Sequence, residues 1–156
     1  MPRKSAGLLL SRRTAGGLEV LLVHPGGPFW AKKDDGAWSI PKGEFGGDEE
    51  PLSAALREFE EEVGLRVSGP MIPLTPRKQP SGKIVHAWAM EKDVDLSAFK
   101  SNSFALEWPP RSGKFRNFPE ADRAAWFDLA TARRKILKGQ AGFLDELERM
   151  IAGDQQ

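Results

Sequence analysis

Glu58, Glu61 and Glu62 lie close together in a stretch whose apolar residues recur at helical spacing. At about 100° per residue, Leu52, Ala55, Leu56, Phe59 and Val63 form one stripe and the three glutamates share a neighbouring arc, while Glu60 points elsewhere. Like charges so stacked repel by roughly 0.2–0.5 kcal/mol per pair, and anions near a helix C-terminus also oppose the macrodipole. Two broken local rules at one place hint at function. A hard divalent cation would offset the repulsion. Mg²⁺ takes oxygen ligands and keeps waters that substrate phosphates can replace, with Mn²⁺ as the alternative. The competing reading is a charged helix face that simply meets water.

A helix is expected over residues 49–63, with Asp48 as its N-cap and Pro51 in the first turn. Gly64 stands where a left-handed cap favours glycine. Residues 7–10 and 18–23 read as strands joined by a turn at Thr14-Ala15-Gly16-Gly17. Residues 24–36 read as a loop, 38–40 as a short strand, and 65–67 and 84–90 as further strands. Residues 101–119, with Pro109, Pro110 and Gly113, read as irregular. A strand at 125–129 and helices at 131–137 and 142–151 follow, the last with Phe143, Leu144, Leu147, Met150 and Ile151 at helical spacing. The pattern predicts an α/β fold, a mixed sheet flanked by helices. With no repeat or linker, residues 1–156 read as a single domain.

Composition excludes several function classes. Hydrophobic residues at 40% and charged residues at 29% suit a soluble globular core. A formal net charge of +1 gives no global attraction to nucleic acid or membrane, so an anionic ligand needs a local cluster. The lack of cysteine excludes disulfides, thiolate metal sites and a cysteine nucleophile, and fits a cytoplasmic location. No apolar run approaches the ~20 residues of a membrane span. The start, Met1-Pro2-Arg3-Lys4 before a short apolar run at 6–10, does not read as a signal peptide. Either a monomer or a homodimer fits.

The run Gly43, Glu49, Arg57-Glu58-Phe59, Glu61-Glu62, Gly64-Leu65 resembles the Nudix box at all nine of its defined positions. The resemblance implies an α/β/α sandwich whose box forms a loop, a helix and a loop. It implies that Glu58, Glu61 and Glu62 bind the catalytic metals, joined by the carbonyl of Gly43. Arg57 would orient these carboxylates while pairing with Glu49; the alternative is an exposed i, i+4 pair with Glu61. Gly46-Gly47 would let the loop turn sharply around the metal. The implied chemistry is attack of water on phosphorus, with metal neutralising charge and activating the nucleophile. Such enzymes often use a further acidic residue outside the box. Glu120, six residues before Trp126, is the candidate and Asp122 its rival, the alternative for Glu120 being a loop carboxylate or cap.

Substrate signals are sparser. Trp38-Ser39-Ile40-Pro41-Lys42-Gly43 resembles the entry to the box in diadenosine tetraphosphate hydrolases, which makes Trp38 and Lys42 candidates for substrate contact. Lys42 would meet a phosphate. Trp108, with Arg111 and Lys114 close behind, would stack a base and hold a phosphate tail, or else cap the core. Trp30 is a further stacking candidate, Trp88 reads as core, and Lys83 and Arg116 read as surface or phosphate contacts. His24 and His86 receive no role. The expected ligand is a small-molecule nucleotide, and the expected reaction is cleavage of a phosphoanhydride in a nucleoside triphosphate or dinucleoside polyphosphate. RNA 5′-pyrophosphate removal, diphosphoinositol hydrolysis and a non-catalytic nucleotide-binding module remain as alternatives.

Overall fold

Residues 5–11 are buried without a break, so the first strand must be covered on both faces. The computed structural model describes residues 3–154, and Met1, Pro2, Gln155 and Gln156, the ends of the expected domain, lie outside them. Strands β1 (Lys4–Thr14) and β2 (Gly17–Pro25) form the expected hairpin, each longer than its apolar centre. Next come β3 (Lys42–Glu44), helix α1 (Pro51–Val63), β4 (Ile72–Pro73), β5 (Arg77–Lys78) and β6 (Ile84–Glu91). The chain then forms β7 (Ser103–Glu107), β8 (Phe115–Pro119), β9 (Ala121–Asp128) and helices α2 (Leu129–Lys135) and α3 (Ala141–Asp154). The main sheet runs β4-β6-β1-β2-β9, with β3 also on β1 and β5 also on β6. It is mixed, β1 and β6 being parallel and β1–β2 and β2–β9 antiparallel.

Alternation along β1 and β2 sorts the core into two layers. Leu8, Leu10, Leu21 and Val23 face Ala54, Ala55, Phe59 and Val63 of α1. Leu9, Val20 and Leu22 face Ala132, Ile136, Phe143, Leu144 and Leu147, contributed by α2, α3 and the segment between them. The result is an α/β/α sandwich, as expected. Helix α1 is thereby clamped along its apolar stripe, leaving its carboxylate arc beside β3.

Four expectations need correction. Helix α1 begins at Pro51, the position where a missing N–H costs nothing, and its N-cap is Glu50, which makes no side-chain cap bond; Asp48 lies before it. Residues 65–67 form no strand, although Leu65 and Val67 pack against the α1 layer. Residues 38–40 form no regular strand and pair through isolated bridges, Val23 to Ser39 and Trp38 to Ile136. Residues 101–119 contain the antiparallel pair β7–β8, with Phe104 opposite Phe118; Pro109, Pro110 and Gly113 occupy the loop between the strands.

Candidate active site around the α1 carboxylates

Strand β3 lies against β1, with Lys42 opposite Gly7 and Gly43 opposite Ala6. That pairing sets the β3 backbone beside α1. The Lys42 N–H donates to Glu62 Oε2 at 2.9 Å. A side chain at Gly43 would overlap the Glu58 carboxylate, so only glycine lets the two elements approach this closely. Glu58 and Glu62 are buried, at 8% and 6% exposure, whereas the Glu61 side chain keeps 37% of its exposure.

Arg57 organises this face. Its Nε and Nη2 form a two-pronged contact with Glu49, each bond 2.8 Å. Its Nη1 donates to Glu58 Oε1 at 2.7 Å and to Glu61 Oε2 at 3.1 Å. The expected pairing with Glu49 and the i, i+4 contact with Glu61 are both present, as arms of one three-carboxylate arrangement around Arg57. Gly46 and Gly47 do not need glycine's freedom as expected: neither has positive φ, and a Cβ on either would meet nothing within 4 Å.

Glu120 sits between β8 and β9, its N–H donating to Asn102 O at 2.7 Å and its carbonyl accepting from Gly26 N at 3.0 Å. This brings its charge within reach of Glu58, Glu61, Glu62 and Lys42. Asp122 is engaged elsewhere, 2.8 Å from Nδ1 of the fully buried His24. His24 Nε2 lies 2.6 Å from the Lys33 carbonyl, so this histidine ties a loop to β9.

Trp38 is not presented to a substrate. It is 3% exposed, packs edge-on against His24 and Phe127, and donates its Nε1–H to Asp34. Its ring belongs to the core, which corrects the expected substrate contact. Trp108, Arg111 and Lys114 lie in the loop of the β7–β8 hairpin, closed by Trp108 N donating to Lys114 O at 2.8 Å. Trp108 is half-buried and Arg111 and Lys114 are exposed. Two residues were missed in the sequence. Phe29, 60% exposed, meets the Trp108 ring edge-on at 5.4 Å; an aromatic in a glycine-rich loop gave no signal. Lys100 lines a cleft of about 570 Å³ together with Arg57, Glu61 and Asn102; a single lysine carries no periodicity to betray it.

A family model described as the NUDIX domain matches residues 1–147. The chain belongs to the Nudix family. Solved structures of the same fold include an Ap4A hydrolase of C. elegans in a binary complex, at TM-score 0.62 and 22% identity, covering 97% of this chain and 98% of that one. A MutT/nudix family protein of Listeria innocua matches at TM-score 0.65 and 20% identity, covering 99% and 97%. The NUDIX domain of Shewanella oneidensis NrtR, complexed with ADP ribose, matches at 0.64 and 17%, covering 97% and 89%. Among curated proteins, an octanoyltransferase of Myxococcus xanthus is 34% identical over 101 residues, 65% of this chain. The chain spans only 25% of that relative's length.

The electrostatics of the Nudix helix fit a bound cation. Burial pushes the Glu62 carboxyl up to about 7, against the lowering effect of the Lys42 charge and N–H and with the repulsion of Glu120 and Glu58 added. Burial likewise raises Glu58, against Arg57. Glu120 is raised by desolvation of its carboxyl and by Glu61, against Lys42. Anionic oxygens held this close without enough positive charge are suited to a divalent ion. Among the described residues, no three acidic or imidazole side chains close a cage by themselves. Nudix hydrolases generally use divalent metal ions.

Glu62 is raised above its ordinary 4.5 to about 7 on folding. Between those values the folded state holds a proton that the unfolded state has lost, so stability falls as pH rises through this window. In chelator, Tm should drop from pH 5 to pH 8, Glu62→Gln should flatten the drop, and Mg²⁺ should reverse it. A wild-type Tm that climbs over this range would contradict the raised carboxyl.

Proposed function

We propose that the chain is a divalent-cation-dependent hydrolase that cleaves a phosphoanhydride bond in a nucleoside triphosphate or dinucleoside polyphosphate. One observation carries this reading: Glu58, Glu61 and Glu62 of α1 share one electrostatic site with Glu120, closed by Lys42 and the glycine contact at Gly43. Glu58, Glu61, Glu62 and the Gly43 carbonyl would hold the ion, which supplies charge neutralisation at the phosphate oxygens and an activated water. Arg57 keeps two of the carboxylates in place through its bonds to Glu58 and Glu61 while anchored on Glu49. Glu120 stands outside the helix and accepts the proton of the attacking water. Lys42 meets the phosphate chain.

The Phe29–Trp108 pair supports a nucleoside at the other end of that chain. Strand β8, four residue steps or about 13 Å from Phe115 to Pro119, separates the hairpin loop from Glu120. Arg111 and Lys114 at that tip supply cations for phosphates lying between. Of two proteins of the same fold, one is named an Ap4A hydrolase and the other is complexed with ADP ribose, a nucleoside diphosphate joined to a sugar.

A substrate panel tests this reading. Nucleoside triphosphates and dinucleoside polyphosphates should be cut faster than sugar nucleotides, nicotinamide dinucleotides or 5′-triphosphorylated RNA. Trp108→Ala should raise KM at least ~5-fold and leave kcat within about twofold, because stacking worth roughly 1–3 kcal/mol binds ground and transition states alike. Faster cleavage of sugar nucleotides, or an unchanged KM, would overturn the assignment of the hairpin to substrate.

A further inference from the structure

We infer that Ser101 is a positioning residue that fixes Glu120 against the last turn of α1; the inference rests on the reading of Glu120 as part of the reaction centre. The last carbonyls of a helix lack partners inside it. Here two of them are taken up by a strap of three residues. The Val63 carbonyl accepts from Lys100 N and the Glu61 carbonyl from Asn102 N, each at 2.9 Å. Gly64, with φ 82°, permits this approach, since a side chain there would overlap the Lys100 carbonyl.

The other edge of the strap holds the start of β9. Glu120 N donates to Asn102 O at 2.7 Å, and Ala121 N donates to Ser101 Oγ at 3.0 Å. The Ser101 hydroxyl in turn donates to Asn102 O at 3.1 Å. Glu61 and Glu120 are thus joined through the backbone of one residue, Asn102. The Ser101 hydroxyl holds both the carbonyl that receives Glu120 and the N–H of the residue after it. Ala121 is 1% exposed, so its N–H is turned inward onto that hydroxyl. The rest of the strap's contacts to α1 and Glu120 run backbone to backbone, so Ser101 Oγ is where a substitution can act.

The test compares Ser101→Ala, Ser101→Thr, Glu120→Gln and the Ser101→Ala/Glu120→Gln double variant on the fastest substrate of the panel with Mg²⁺. It also follows the exchange of the Ala121 amide. Ser101→Ala should lower kcat about 10-fold with KM within twofold, because Glu120 acts in the reacting step rather than in holding substrate. Its Ala121 amide should exchange at least ~10-fold faster. Ser101→Thr, which keeps the hydroxyl, should stay within about twofold of wild type. In the Glu120→Gln background, loss of the hydroxyl should cost less than twofold. If Ser101→Ala melts too early to assay, Ser101→Cys keeps the volume, weakens the bond, and should move kcat in the same direction. Near-wild-type kcat in Ser101→Ala beside a tenfold loss in Glu120→Gln would overturn the positioning role. So would an equal loss from Ser101→Ala in both backgrounds. A silent Glu120→Gln would instead overturn the reading of Glu120 on which the strap depends.

Discussion

Glu61→Gln and Glu62→Gln are each expected to lower turnover at least ~10²-fold while the fold survives. Metal-supported charge stabilisation in the transition state is worth several kcal/mol, and an amide oxygen is a poorer ligand for a hard cation than a carboxylate. Neither change should destabilise the metal-free protein. Glu62 is 6% exposed and carries its charge at the expense of hydration, and the glutamine oxygen can still accept the Lys42 N–H that Glu62 Oε2 now accepts. At pH 8 in chelator, Glu62→Gln should therefore melt no earlier than wild type. Glu60→Gln is the control, because Glu60 is exposed and its ion-pair partner among the described residues is the exposed Arg66. Its steady-state rate should stay within about twofold. Full activity in both Glu61→Gln and Glu62→Gln would remove the carboxylate face from the reaction.

The second large effect is expected at Gly43. A methyl group there would overlap Oε2 and Cδ of Glu58 and come within 2.7 Å of Oε1. These atoms cannot retreat freely, since Glu58 is buried and its Oε1 accepts from Arg57 at 2.7 Å. Either the carboxylate swings out of the site or β3 parts from β1. Both outcomes spoil the metal-binding oxygens, so Gly43→Ala should cost at least ~10²-fold in kcat/KM. Gly46→Ala is the matched comparison. It adds the same methyl group three residues away in open space, at a φ that any residue tolerates, and should remain within about threefold. Equal activity of the two variants would show that the close approach at Gly43 is dispensable.

Much of this arrangement was legible because α1 follows a period of 3.6 residues, and a period fixes which side chains share a face. What the helical wheel does not encode is depth. Glu58, Glu61 and Glu62 share an arc, yet β3 buries the first and last and leaves Glu61 partly open. That difference comes from Lys42 and Gly43, brought in by strand pairing with residues far from them in the chain. Trp38 was misread for the same kind of reason. Its chemistry suits stacking, but His24, Asp34 and Phe127 converge on it only in the folded state. The β7–β8 hairpin was hidden by short strands and by the proline and glycine content of its loop, which outweighs the alternation of Phe104 and Leu106 in a sequence window. Glu120 was a candidate by its spacing to Trp126, but its link to the helix end through Asn102 depends on backbone bonds that no side-chain pattern announces.

The most direct measurement is a Mg²⁺ titration of hydrolysis, using the panel substrate cut fastest and starting from protein in excess chelator. The expected result is no turnover without free Mg²⁺, saturable recovery as the ion is added, and no recovery at any Mg²⁺ concentration in the double variant Glu61→Gln/Glu62→Gln. Turnover that persists in excess chelator, or that returns fully in the double variant, would contradict a divalent ion held on the carboxylates of α1.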